Sequence, residues 1–286
     1  MPSYSLTLDV PESEADDLAA LLLGEGAAGA EVRDASVLPM PGAPRPALGR
    51  AHVVAFFAAR EEAEAAAAAV GVQGALAELA DQDWGERWKE GLTPFAVGRV
   101  FIRFSWAAAA PPPGAVEVVL DPGMAFGTGT HPTTALCLAG LDALLAATPG
   151  AEVLDVGTGS GLLAIAARKL GARRVVATEN DPTALRVAEE NAQRNGVALE
   201  LRLAPPSAVT GTFPVVVANI LANTLVELAP QIASRLAPGG TLLLSGILAG
   251  QEAEVQGAYV AQGLAPDPAR ERSEGEWRLL ALGRMA

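Results

Sequence analysis

Four short segments of this chain combine residue types that could do chemistry. The first is Val153-Leu154-Asp155-Val156-Gly157-Thr158-Gly159-Ser160-Gly161-Leu162. An apolar strand ends on an acid, a Gly-x-Gly-x-Gly turn follows, and a helix opens. Glycines let the backbone turn sharply and let a ligand approach where a Cβ would stand in the way. The helix N-terminus beyond them offers unpaired N–H groups to polar ligand atoms. The second segment, Val175-Val176-Ala177-Thr178-Glu179, is again a strand that ends on an acid. Glu179 could accept both hydroxyls of a ribose. In an open parallel sheet the two strand ends share the edge where ligands bind.

A dinucleotide-binding fold has a similar layout, but its fingerprint is Gly-x-Gly-x-x-Gly, with a diphosphate on the helix N-terminus. Asp155 immediately before the turn would repel a pyrophosphate. It would attract an ammonium. That favours S-adenosylmethionine, which carries one cation at its amine and another at sulfur. The third segment is Pro214-Val215-Val216-Val217-Ala218-Asn219-Ile220-Leu221, an apolar strand ending on an amide. The Asn219 carbonyl oxygen could orient an amine nucleophile; equally, Asn219 could cap the helix that follows. The fourth is Phe126-Gly127-Thr128-Gly129-Thr130-His131-Pro132-Thr133-Thr134. It lacks the Gly-Lys-Ser/Thr of a phosphate-binding P-loop. Pro132 suits the first turn of a helix with Thr130 or His131 as its cap. His131 could also serve as a base or ligand contact.

These segments need a scaffold that brings strand ends together. From about residue 95, strand-like runs (99–105, 116–120, 152–156, 173–179, 198–203, 214–218, 240–247) alternate with helical ones (161–170, 182–195, 222–236, 250–262). The chain closes on an antiparallel-looking pair near 264–284. Such alternation predicts a parallel sheet with helices on both faces. The first 72 residues read differently. Strands over 4–10, 29–38 and 51–58 and helices over 11–24 and 61–70 give the order β-α-β-β-α of a small α+β domain, ferredoxin-like in pattern. Residues 73–94 read as a linking helix, with Trp84 and Trp88 one turn apart, packed between domains or bordering the site.

Composition narrows the classes. With 33 acidic and 20 basic residues the net charge is −13, which argues against a broad nucleic-acid-binding face or direct sequence-specific nucleic acid binding. One cysteine, Cys137, and two histidines, His52 and His131, argue against a Cys/His zinc site, and no metal is expected. No run of about 18 apolar residues is present to span a membrane. The first residues lack the pattern of a signal peptide, so a cytoplasmic location is expected.

Taken together, the four segments resemble the ribosomal protein L11 methyltransferases (the PrmA family). Asp121-Pro122-Gly123-Met124-Ala125-Phe126-Gly127-Thr128-Gly129-Thr130-His131-Pro132-Thr133-Thr134 is similar to that family's signature, and so is Asn219-Ile220-Leu221-Ala222. The likeness covers residues 80–286; the first part matches only in size and element order. The resemblance implies an α/β fold. A seven-stranded Rossmann-like methyltransferase sheet would occupy residues 95–286, and a smaller substrate-recognition domain residues 1–72. It implies S-adenosyl-L-methionine as cofactor, with contacts at Thr134, Gly157, Glu179 and Asn219; Phe126, Gly127, Asp155, Gly159 and Gly161 are expected to bind it as well, and Asn219 is expected to be catalytic too. Where this chain has Glu179 many members have Asp. The implied reaction is N-methylation of lysine side chains and of the N-terminal α-amine of ribosomal protein L11, by a monomer.

Overall fold

A computed structural model describes residues 3–33, 46–47, 49–72, 74–79, 92–121 and 129–284. The chain divides into two units, Met1–Lys89 and Glu90–Ala286.

In the first unit, alternation of apolar and polar residues in β1 (Ser3–Pro11) turns Leu6, Leu8 and Val10 to one face. β3 (Arg50–Phe57) does the same with Ala51, Val53, Ala55 and Phe57. Helices α1 (Ala15–Gly24) and α2 (Arg60–Val70) add Ala15, Leu22, Ala63 and Ala66 to the core on that face. Two more strands, β2 (Gly29–Arg33) and β4 (Ala75–Leu79), complete an antiparallel sheet of order β2-β3-β1-β4. β4 corrects the first part of the linking helix expected over 73–94, of which residues 80–91 lie outside the described residues. Residues 75–79 pair with β1, from Ser3↔Leu79 to Thr7↔Ala75. Helical spacing in Ala-Leu-Ala-Glu-Leu yields to the open edge of β1, which supplies a hydrogen-bond ladder no isolated short helix could match. Trp84 and Trp88 lie outside the described residues.

The second unit holds two sheets. A small one, β5-β6-β7, comprises Phe95–Val97, Val100–Phe104 and Val116–Leu120; β5 pairs antiparallel and β7 parallel with β6. The large one runs β10-β9-β8-β11-β12-β15-β13, and an eighth strand, β14, pairs with β15. β8 is Glu152–Val156, β9 Arg174–Glu179, β10 Glu200–Leu203, β11 Phe213–Asn219 and β12 Leu236–Leu248. β13 (Ala265–Pro266), β14 (Arg272–Glu274) and β15 (Trp277–Gly283) follow. The expected count of seven strands is therefore one short. The three residues of β14 are all exposed and polar, so no periodic apolar signal marks them.

Both faces of the large sheet are covered. Val153, Val175, Val215, Val217 and Leu243 face α3 (Pro132–Ala147) and α4 (Leu162–Lys169), together with the small sheet. Leu154, Val176, Val216, Leu242 and Leu244 face α6 (Ala222–Glu227), α7 (Ala229–Ala233) and α8 (Glu252–Val260). Burial on both faces is why these strands read as continuous apolar runs. The helix expected over 222–236 is two short ones. Leu228 sits between them and Pro230 lies in the first turn of the second, where its missing N–H costs nothing. α5 (Pro182–Arg194) packs beside β9 and β10. Among the described residues no helix is long and apolar enough to cross a membrane, and no His/Cys/Asp/Glu group could hold a metal.

Candidate functional site

β8, β9 and β11 run parallel, so their carboxyl ends meet at one edge. There they bring Asp155, Glu179 and Asn219 together, as the sequence suggests. The glycine turn after β8 is tied to β9, since Gly157 and Thr158 both donate to the Thr178 carbonyl, at 2.9 and 3.0 Å. Gly157 has φ +72°, and a Cβ there would stand 2.4 Å from Ile220 Cγ2. Only glycine lets the segment after β11 lie this close to the turn. Gly161 is the N-cap of α4; a Cβ on it would press within 3.1 Å of Ala188 on α5.

The two strand-end acids have different surroundings. Glu179 is half-buried at the end of β9. Its Oε2 accepts the Gly159 N–H at 2.9 Å, and its Oε1 accepts the Asn180 and Asp181 N–H groups at 2.8 and 3.2 Å. Asp155 is fully buried. Its Oδ2 accepts the Thr158 hydroxyl at 2.6 Å, whereas Oδ1 has no partner among the described residues. Burial pushes the Asp155 carboxyl up to about 7; the Thr158 hydrogen bond opposes that shift, and the negative charge of Glu179 adds to it.

Asn219 does not cap the next helix. The cap of α6 is Leu221, and no side chain bonds there. Instead the Asn219 amide points its Nδ2 at the buried Thr134 hydroxyl, at a long 3.5 Å. This leaves the carbonyl oxygen for another donor. His131 is the cap of α3: its Nδ1 lies 2.8 Å from Thr133 Oγ1 and accepts the Thr133 N–H at 3.4 Å. Its ring also meets Trp277 edge-on, with centroids 4.5 Å apart.

A cavity of about 1050 Å³ opens at this edge, large enough for a nucleoside-sized ligand. Gly157, Gly159, Glu179 and Asn219 line it. So do His131, Ile220, Leu221, Leu203 and Trp277, of which sequence reasoning had placed only His131 near a ligand. Thr134, Asp155 and Gly161 stand behind the lining rather than in it. Phe126 and Gly127 lie outside the described residues. Of the missed residues, Leu203, Ile220, Leu221 and Trp277 are apolar or aromatic, while Asn180, Thr224 and Glu227 are polar; a lone residue of either kind beyond a strand end carries no signal in one sequence.

Comparison with known proteins gives a consistent picture. Residues 3–284 match the family model described as ribosomal protein L11 methyltransferase (PrmA). A protein of that name from Myxococcus xanthus is 44% identical over 286 residues, covering 98% of both chains. Another, from Azotobacter vinelandii, is 45% identical and covers 91% of this chain and 92% of its own. The crystal structure of a ribosomal protein L11 methylase from Lactobacillus delbrueckii subsp. bulgaricus superposes with a TM-score of 0.62 at 35% identity. It covers 68% of this chain and 99% of that one.

Proposed function

The chain belongs to the ribosomal protein L11 methyltransferase family, and on that premise we propose that it transfers methyl groups from S-adenosylmethionine to amines of ribosomal protein L11. The observation that carries this reading is the meeting of Asp155, Glu179 and Asn219 at one sheet edge, where Glu179 and Asn219 line the cavity and Asp155 is buried behind them.

The residues fit this cofactor. Among the described residues Asp155 Oδ1 is a buried acceptor with no hydrogen-bond partner, and such groups are rare without a reason. An ammonium-bearing ligand supplies donors, directly or through one water. The same carboxylate would repel a diphosphate. Glu179 keeps lone pairs free beyond its three backbone bonds, enough to accept ribose hydroxyls. When bound, the cofactor supplies an electrophilic methyl group. Everything else falls to the chain.

Asn219 holds an acceptor at the cavity wall, and an amine that donates to it is held in one orientation. The amine must be neutral to attack. For a free lysine, with pKa about 10.4, neutralisation at pH 7 costs roughly 4–5 kcal/mol; an α-amine near 7.7–8.0 costs only about 1. The lining is largely apolar, with Leu203, Ile220, Leu221 and Trp277, and a dry pocket lowers an amine's pKa. We assign the targets as lysine side chains and the N-terminal α-amine. Positioning and desolvation supply most of the rate.

We read the first unit as a ferredoxin-like substrate-recognition domain. The element order β-α-β-β-α-β and the strand order β2-β3-β1-β4 support that reading. We read the large sheet as the methyltransferase sheet, seven strands on its path with β14 added. We infer a cytoplasmic location, in keeping with a ribosomal protein as substrate. Incubation with methyl-labelled S-adenosylmethionine and purified ribosomal protein L11 tests the whole reading: label should pass to the protein's amines. Failure of transfer, with uptake of a nicotinamide or flavin nucleotide instead, would refute it.

A further inference from the structure

Asn191 on helix α5 and Asn195 at its C-cap lie one turn apart, and Asn191 shares the buried side of the helix with Ala184, Val187, Ala188 and Ala192. Polar groups in an apolar stripe need partners. Both asparagines find them along the edge of β7 that β6 leaves open, Asn195 on β7 itself and Asn191 on Asp121 just beyond its end. Asn195 accepts the Val119 N–H at 2.9 Å and donates to the Val119 carbonyl at 2.6 Å. Asn191, fully buried, accepts the Asp121 N–H at 3.0 Å and donates to the Asp121 carbonyl at 3.1 Å. The two amides thus take the place of a neighbouring strand.

Asn191 makes one bond that Asn195 does not. Its Nδ2 also donates to the carbonyl of Ser160, inside the glycine turn, at 2.9 Å. The amide orientation is fixed from its other side, because Arg194 donates to Asn191 Oδ1 at 2.7 Å and pairs with the Asp121 carboxylate at 3.0 Å. One side chain therefore fastens the glycine turn to the end of β7, while lining no part of the cavity itself.

We propose that Asn191 is a positioning residue of the methyl-donor site: it sets the glycine turn in the geometry that binds the donor, whereas Asn195, whose side chain bonds Val119 of β7 and the Asn191 carbonyl, makes no bond to that turn. The proposal rests on the donor reading above. The pair forms its own control, since both residues support the same strand and only one touches the turn.

The test is calorimetric titration of S-adenosylmethionine into the unaltered chain, Asn191→Ala and Asn195→Ala, with the melting temperature of each. Both variants should melt lower. Loss of the Ser160 bond should weaken donor binding about tenfold in Asn191→Ala, the equivalent of one buried hydrogen bond. Binding in Asn195→Ala should stay near that of the unaltered chain. Equal weakening in the two variants, or none in Asn191→Ala, overturns the proposal. Should Asn191→Ala fail to fold, hydrogen exchange on the unaltered chain decides. Saturating donor should slow exchange of the Asp121 N–H, held by Asn191, more than that of the Val119 N–H, held by Asn195. Equal protection, or none, overturns it. An unaltered chain that takes up no donor would remove the donor reading and this proposal together.

Discussion

The two units are built on opposite strand logics. In the first, every neighbouring strand pair is antiparallel, so successive strand ends alternate between two edges. In the second, β10, β9, β8, β11 and β12 run parallel and deliver all their carboxyl ends to one edge. A parallel sheet collects side chains from distant parts of the sequence at one place; an antiparallel sheet of four strands cannot collect as many. The proposed site lies in the second unit for that topological reason. Among its described residues the first unit has a helix-covered core and no comparable edge.

The sharpest way to break this comparison is to remove the first unit. The cores on both faces of the large sheet, and every described residue that lines the cavity, lie beyond residue 89. A chain starting at Glu90 should therefore keep S-adenosylmethionine binding in calorimetry while losing methyl transfer to ribosomal protein L11. Retained transfer would show that recognition lies in the second unit. Next in size is Asn219→Ala. Loss of one aligned hydrogen-bonding partner should lower kcat on the order of 100-fold, measured in a label-transfer assay under saturating donor. Smaller again is Glu179→Gln. Removing the charge behind each ribose bond should raise the donor Kd about tenfold or somewhat more, since bonds to charged groups contribute roughly 1.5–3 kcal/mol. A Kd unchanged by that substitution would place the ribose elsewhere.

The difference between the units also governs what could be read from sequence. Asp155, Glu179 and Asn219 were legible because each ends an apolar run, and a sheet buried on both faces makes such runs conspicuous. The element order of the first unit was legible up to α2. β4 was not, because its alanine-rich residues fit a helix as well as a strand and only the free edge of β1 decides between them. The roles of Asn191 and Asn195 were hidden for a related reason. Their spacing in an apolar stripe is visible, but their partners, Asp121, Ser160 and Val119, lie 31 to 76 residues away. Trp277 reaches the site from β15, the strand that enters the sheet antiparallel against β12, and no motif announces it.

The mildest effect comes from the contrast between the two acids of the site itself, and pH should reveal it. Asp155 titrates near 7 in the folded chain, against an ordinary 3.8. Between those values the unfolded chain has released this proton and the folded chain retains it. Folding stability contributed by this group therefore falls as pH rises from about 4 to about 7, and levels off above that. Donor binding runs the other way. A cationic ligand prefers the carboxylate, so below pH 7 binding must expel the proton, and affinity should weaken by up to about tenfold per pH unit. Calorimetry near pH 6 in two buffers of different ionisation enthalpy should register proton release on binding. In Asp155→Asn the release should vanish together with the pH dependence, and binding should be weaker throughout. If the unaltered chain binds donor equally well at pH 6 and pH 8 with no proton released, Asp155 is not the group that meets the ammonium, and its buried, unpartnered oxygen needs another explanation.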